Sequence, residues 1–203
     1  MPRIGFIGWN PFQFLHIRSI AAAFESACFV IEKRKEHISE FSDDILNDPN
    51  IPTLIWDRSK MALLDGVFDI LICQTPFFRI EAFSKTKIVM VQYGYAKEPH
   101  NYGAWRAFAD LCLTYGPYAN RKIEPFCPAV PVGNPRFDVW HQDSFHQRAK
   151  ASHSAHIDPS RKTVLYLPTW GELSSVDQYL ETVYSLASKY NVLLKMHHNT
   201  QLL

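Results

Sequence analysis

The chain has 203 residues, of which 47% are hydrophobic and 20% are charged, as is typical of a globular protein with a sizeable core. Its formal net charge of +1 gives no reason to expect nucleic acid as a partner. No apolar run approaches the roughly 18 residues of a membrane-spanning helix, and the N-terminus lacks the apolar core of a signal peptide. The composition therefore predicts a cytoplasmic protein, and its four widely spaced cysteines predict reduced, buried thiols.

Short apolar runs recur along the first 140 residues and predict a parallel sheet. Two of them, residues 69–73 and 87–91, are almost continuously apolar, which is typical of strands buried on both faces. A helix is predicted over residues 13–25, and residues 32–48 are expected to form at most a solvated helix whose charges have no function. The predicted strands cover residues 3–8, 27–31, 53–56, 69–73, 87–91, 111–114 and 128–132.

The chain then becomes polar before strand and helix patterns begin again. We predict an N-terminal domain over residues 1–140, a linker over 141–160 and a second domain over 161–203. In the second domain a strand (163–167), a turn, a helix (174–190) and another strand (192–196) form a βαβ unit. Because two strands alone make a marginal sheet, we expect residues 161–203 to dock on the first domain, to pair with another chain or to be the first part of a larger domain.

Ligands of open α/β sheets bind beyond the carboxyl ends of the strands, so the peptides that follow strands are the candidate sites. In the first domain these are the strand-to-helix turn with Trp9 and Asn10, and the loop at residues 92–103. That loop is long for a compact domain, which favours a functional role. Its candidate side chains are Tyr93, Lys97 and His100. His16, on the preceding helix, is expected to be a partly buried and satisfied side chain.

In the second domain the candidate peptide is the one that follows the last strand. Consecutive residues leaving a strand point to opposite sides, so His197 or His198 must face the crevice. With Asn199 and Thr200, and with Thr169 on the neighbouring loop, they offer donors suited to a phosphate. The alternative is that one imidazole packs in the sheet and the other is solvated.

Other familiar sites are not indicated. The sequence contains no G-x-G-x-x-G, no P-loop and no G-x-S-x-G motif. The histidines of the polar segment do not form a tetrahedral ligand set, so we expect no metal and no cofactor. They are His141, His146, His153 and His156.

Three segments resemble the CDP-glycerol glycerophosphotransferase family, the teichoic-acid-polymerase type of GT-B transferase. Residues 166–170 (YLPTW) are similar to its Y-x-P-T-W strand end. Residues 195–197 (KMH) are similar to the basic residue, apolar residue and histidine that end a later strand, with His198 in place of the usual proline. Residues 132–138 (VGNPRFD) are similar to its G-x-P-R-x-D segment.

The resemblance implies an α/β fold of GT-B type: a Rossmann-like acceptor-side domain and an incomplete donor-nucleotide-binding domain. It implies transfer of a glycerol phosphate, another alditol phosphate or a sugar from a nucleotide-activated donor, a CDP-alditol or nucleotide sugar. The acceptor would be a polyol phosphate or glycan of the cell envelope. Peripheral association with the inner face of the membrane, and homo-oligomer formation, are compatible with that role.

The resemblance also assigns roles to residues and leaves one of them open. His197, with Thr169, His198, Asn199 and Thr200, would bind the donor phosphates. The family's catalytic histidine is replaced by Tyr93, so the base is Tyr93 with Lys97, His100 or His16.

Two other classes of function remain open from the sequence. A truncated, non-catalytic remnant that keeps a nucleotide-binding or interaction surface would show little transfer by itself. A sugar-nucleotide epimerase is the third alternative.

Overall fold

The structure is a computed structural model that describes residues 1–34, 38–95, 98–154, 156–197 and 200, with only the backbone of residue 38. The chain divides into two compact units, Met1–Val139 and Trp140–Leu203. In the part of the chain that is described, no helix has the length and apolar character needed to cross a membrane.

The first unit is a seven-stranded, all-parallel sheet. Its strands occur in the order β3-β2-β1-β4-β5-β6-β7. This order reverses between β1 and β4, as in a Rossmann-like, doubly wound α/β fold. The prediction of an α/β fold with a parallel sheet is confirmed. The strands are β1 (Ile4–Gly8), β2 (Ala27–Lys33), β3 (Thr53–Asp57), β4 (Ile70–Cys73), β5 (Lys87–Val91), β6 (Leu111–Thr114) and β7 (Ala129–Pro131).

Helices and 3₁₀ turns connect these strands. The helices are α1 (Pro11–Ala21), α2 (Asp43–Leu46), α3 (Glu98–Asn101) and α4 (Pro117–Ile123). The 3₁₀ turns are Ile38–Glu40, Arg58–Leu64, Ile80–Ala82, Ala104–Phe108 and Pro135–His141. The loop predicted at residues 92–103 therefore contains α3 and leads into a 3₁₀ turn.

Helix α1 begins two residues before its predicted start and ends four residues before its predicted end. Asn10 is its N-cap, and Pro11 occupies the first helical position, where the missing N–H has no cost. The side chain of Asn10 accepts a hydrogen bond from the backbone N–H of Gln13, and the Gln13 side chain returns the bond in a capping box.

Two apolar clusters cover the two faces of the sheet. Phe6, Phe14 and Phe29 belong to the cluster on the face of α1, and Phe14 and Phe29 pack edge to face with ring centroids 5.1 Å apart. The opposite cluster includes Met90 and Cys112. All four cysteines are free, and three of them are buried, while Cys28 is half-buried.

One part of the sequence-based prediction for residues 32–48 was wrong. Glu32 is buried at the end of β2, and Phe41 and Ile45 lie in the core. The prediction followed the many charges of the segment, in which apolar residues such as Phe41 and Ile45 are few.

The second unit contains a two-stranded parallel sheet and two helices. β8 (Thr163–Tyr166) pairs with β9 (Asn191–Leu194), as the βαβ prediction requires. The connecting helix α6 (Val176–Ser185) is shorter than predicted and continues as a 3₁₀ turn, Leu186–Ser188; another 3₁₀ turn covers Gly171–Leu173. The segment predicted as a linker contains α5 (Asp143–Ser154), which buries no residue.

Candidate functional site

The peptides that follow β8 and β9 lie at one edge of the second unit. The two strands pair in parallel, with Tyr166 opposite Leu194, so their carboxyl ends are neighbours. A cavity of about 390 Å³ lies at this edge. Its lining residues come from both peptides: Leu167, Pro168, Thr169, Lys195, Met196 and His197.

An aromatic side chain flanks the cavity. The Trp170 ring stacks on the imidazole of His197, with ring centroids 5.9 Å apart and ring planes inclined by 28°. The hydroxyl of Tyr166 hydrogen-bonds with the hydroxyl of Ser175 over 2.7 Å and joins the end of β8 to the start of α6. The structure brings Thr169 and His197 together as the sequence predicted, along with Lys195 and Trp170 from the same two peptides.

The other predicted residues of this peptide are described only in part. His198 and Asn199 lie outside the described residues. The backbone N–H of Thr200 donates a hydrogen bond to the carbonyl oxygen of His197 over 2.9 Å. The Thr200 Oγ1 atom is buried and has no hydrogen-bond partner among the described residues.

In the first unit, Gln13 organises the point where the strand order reverses. Its side-chain Oε1 accepts hydrogen bonds from the backbone N–H groups of Trp9 (2.8 Å) and Asn10 (3.3 Å). Its Nε2 donates to the hydroxyl of Thr75, after β4, over 2.8 Å. The amides of Trp9 and Asn10, predicted to face a ligand, are thus already satisfied within the protein. The sequence signal for Gln13 was the Asn-x-x-Gln spacing of a capping box.

Beside this turn, the first unit brings together a histidine, a tyrosine and an arginine. The ring centroids of His16 and Tyr93 are 5.6 Å apart. Burial, and secondarily the positive charge of Arg136, lower the pKa of His16 below its usual 6.5. Burial raises the pKa of Tyr93, while Arg136 acts in the opposite direction. His16 is therefore neutral near pH 7, a state in which it can accept a proton.

His16 is not the satisfied side chain that the sequence suggested. Its Nδ1 atom is buried and has no hydrogen-bond partner in the described part of the chain. A buried nitrogen without a partner costs free energy, which is typical of sites that bind a ligand. Gln74, at the end of β4, has a buried Oε1 atom in the same condition.

The remaining side chains of the loop after β5 have different positions. The buried Gln92 accepts a hydrogen bond from the backbone N–H of Tyr115 and donates to the carbonyl oxygen of Gly94, both over 2.8 Å. His100 lies on α3 with an exposed side chain, and its carbonyl oxygen accepts a hydrogen bond from the indole of Trp105. Lys97 lies outside the described residues.

A metal centre has no support from the residues that the structure describes. No group of three or more His, Cys, Asp or Glu side chains among them could hold a metal ion. The donors at both candidate sites are instead imidazole, hydroxyl, ammonium and guanidinium groups. Such groups suit an anionic ligand.

Comparisons with known proteins give no family assignment. No protein-family model matches the sequence, and no curated protein matches it. Among solved structures, a double variant of a short-chain dehydrogenase/reductase from Serratia marcescens is 11% identical and has a TM-score of 0.32. The match covers 94% of this chain and 85% of that chain. A likeness at this level carries no inference about function.

Proposed function

We propose that this protein is a transferase that moves an alditol phosphate or a sugar from a nucleotide-activated donor to a polyol-phosphate or glycan acceptor. The observation that carries the proposal is the cavity after β8 and β9, which is lined by Thr169, Lys195 and His197. A hydroxyl, an ammonium and an imidazole are suitable partners for the charged oxygens of a diphosphate. The resemblance of both peptides to the CDP-glycerol glycerophosphotransferase family supports a CDP-alditol as the donor.

The proposed reaction with a CDP-alditol is an in-line displacement at phosphorus. The acceptor hydroxyl oxygen forms a bond to the phosphorus that carries the alditol, and the bond from this phosphorus to the bridging oxygen breaks. CMP leaves with the electron pair of that bond. Lys195 and His197 would stabilise the negative charge that develops on the departing phosphate.

The acceptor hydroxyl must also lose a proton, for which the first unit offers a base. The family's histidine is replaced by Tyr93, and a phenol with a raised pKa is rarely ionised at neutral pH. His16 brings an imidazole next to that position, and its lowered pKa keeps it ready to accept a proton. We therefore favour His16 as the base and Tyr93 as a residue that positions the acceptor hydroxyl.

The proposed role determines where the protein would meet its donor and its acceptor. A nucleotide-activated donor is a cytoplasmic metabolite, and an envelope polymer grows at the inner face of the cell membrane. We therefore propose that the protein works in the cytoplasm and associates peripherally with the inner face of the cell membrane. It needs no metal or other cofactor for the displacement described above.

Calorimetric titration with CDP-glycerol, CMP and UDP-glucose tests the donor assignment. We expect the cytidine compounds to bind, and His197→Ala to weaken CDP-glycerol binding by about 10- to 150-fold, because a hydrogen bond to a charged group contributes ~1.5–3 kcal/mol. His153→Ala, on the exposed helix α5, is the matched control and should bind like the wild type. Equal affinity of the wild type and His197→Ala for CDP-glycerol would contradict the assignment.

A further inference from the structure

A second group of charged side chains lies at the carboxyl ends of β2 and β3, in the first unit. Glu32, at the end of β2, is 1% exposed. Its Oε2 accepts a hydrogen bond from Arg34 over 2.9 Å, and its Oε1 lies 3.1 Å from the Nε of Arg58. One buried carboxylate is thus hydrogen-bonded to one guanidinium group and ion-paired with a second, and the two groups come from neighbouring strand ends.

Both guanidinium groups are also held against aromatic rings. Arg34 lies over the Trp9 ring, 4.4 Å from its centroid, and Arg58 lies over the Phe78 ring at 5.0 Å. Stacking of this kind restricts the plane of an arginine without using its N–H groups. The two side chains are therefore oriented before any ligand binds.

These groups surround a cavity of about 870 Å³. Among the described residues, its charged lining residues are Lys33, Arg34, Arg58 and Asp57. Asp57 is engaged by Ser59, whose backbone N–H and hydroxyl both donate to its Oδ1. Three positive charges thus face one carboxylate in the cavity, and the buried Glu32 offsets only one more.

The arginines retain unused hydrogen-bonding capacity. Arg34 Nε is buried and has no hydrogen-bond partner among the described residues. Each guanidinium has five N–H donors, and the geometry above uses few of them. Two oriented guanidinium groups and an ammonium suit a dianion whose oxygens can accept paired hydrogen bonds, and phosphate has this geometry.

We infer that this cavity binds the phosphate group of a small, soluble phosphomonoester. Its size leaves room for an organic group attached to the phosphate. The site is lined by other residues than the His197 cavity of the second unit, and it does not depend on the proposed transferase activity. Arg34, Arg58 and Lys33 are its proposed phosphate ligands, and Glu32 is the residue that positions the two arginines.

Calorimetry with inorganic phosphate and with glycerol phosphate at low salt tests the inference. We expect Lys33→Ala and Arg58→Lys each to weaken glycerol phosphate binding about tenfold; Arg58→Lys keeps the charge but loses the planar donor pair. Lys87→Ala is the control, because Lys87 lies at the amino end of β5, whereas the cavity lies at the carboxyl ends of β2 and β3, and because Lys87 pairs with Asp110. His197→Ala should bind glycerol phosphate at this cavity like the wild type, which separates this test from that of the transferase.

An NMR titration of the tryptophan indole N–H groups supplies a second readout that does not depend on stability. Because Arg34 stacks on Trp9, glycerol phosphate should shift the Trp9 indole resonance and leave that of Trp140, in the second unit, unchanged. Absence of saturable binding, or affinity unchanged in both Lys33→Ala and Arg58→Lys, would overturn the inference. Binding to vesicles of phosphatidic acid without binding to glycerol phosphate would also overturn it.

Discussion

The imidazole of His16 lies beside the phenol ring of Tyr93, with ring centroids 5.6 Å apart and ring planes inclined by 40°. The two residues come from α1 and from the loop after β5, which are far apart in the sequence. Burial is the main cause of the pKa shift of each side chain, and the positive charge of Arg136 acts to lower both pKa values. This contact is what makes His16 the preferred base of the proposed transferase.

We expect the transfer rate to rise with pH through the pKa of His16, which lies below 6.5, and to be level near pH 7. The sign follows from the mechanism, because only the neutral imidazole accepts a proton. His16→Gln should lower kcat by about 10²–10⁴, the usual contribution of a general base. The measurement is kcat against pH for CMP release from CDP-glycerol in the presence of a polyol-phosphate acceptor.

His100→Gln is the control for that measurement. His100 is exposed on α3 and should retain the wild-type rate and pH profile. A loss of rate in His100→Gln together with a normal His16→Gln would assign the base to His100 instead.

Removal of the Gln13 side-chain amide should destabilise the protein. Gln13 is 1% exposed and satisfies the backbone N–H groups of Trp9 and Asn10. In Gln13→Leu those donors lose their acceptor, so we expect a loss of ~2–3 kcal/mol in the free energy of unfolding. Urea denaturation measures the change. Gln147→Leu, on the exposed face of α5, should change it by less than about 0.5 kcal/mol.

The carboxylate of Asp65 should make stability depend on acid pH. Desolvation raises its pKa, but hydrogen bonds from the backbone N–H groups of Thr86, Lys85 and Ser84 outweigh this effect and bring the pKa from 3.8 to about 2. Because the folded pKa is lower than the unfolded one, the stabilisation is present above pH 3.8 and is lost as pH falls towards 2.

Asp65→Asn should therefore unfold at lower urea concentration than the wild type at pH 7, and the difference should shrink between pH 4 and pH 2. Asp44→Asn, at an exposed position of α2, is the control for removal of a surface carboxylate and should change the free energy of unfolding at pH 7 by less than about 0.5 kcal/mol. A difference between Asp65→Asn and the wild type that stays constant down to pH 2 would be inconsistent with the lowered pKa of Asp65.

Much of the fold could be predicted from local patterns. The apolar runs that became β4 and β5 are dense enough to identify buried parallel strands. The runs that became β8 and β9 flank an amphipathic helix, and this pattern identifies a βαβ unit. The strand order was beyond such patterns, because a parallel sheet of this kind is assembled by contacts between distant segments. The early start of α1 could have been predicted from Asn10, Pro11 and Gln13, a capping box with proline in the first helical position.

The candidate sites could be predicted only where one peptide carries several donors. Thr169 and His197 were predicted to be neighbours because parallel strands end at the same edge of a sheet, and both line the cavity after β8 and β9. Arg136 and Glu32 were not predicted as candidates, and His16 was only one of several candidate bases, because important neighbours of these residues lie far away in the sequence. Their chemistry follows from burial and from neighbours in space, neither of which is visible in a local stretch of sequence.

The proposed binding of a nucleotide-activated donor at Thr169, Lys195 and His197 can be followed at the tryptophan indole groups in an NMR titration with CDP-glycerol. The five tryptophans provide five indole N–H resonances, and Trp170 stacks on His197. We predict a saturable shift of the Trp170 resonance, while the Trp56 and Trp105 resonances stay unchanged. The indole N–H groups of those two residues donate hydrogen bonds to the carbonyl oxygens of Lys60 and His100. A Trp170 resonance that does not move at saturating CDP-glycerol would contradict donor binding at the cavity after β8 and β9.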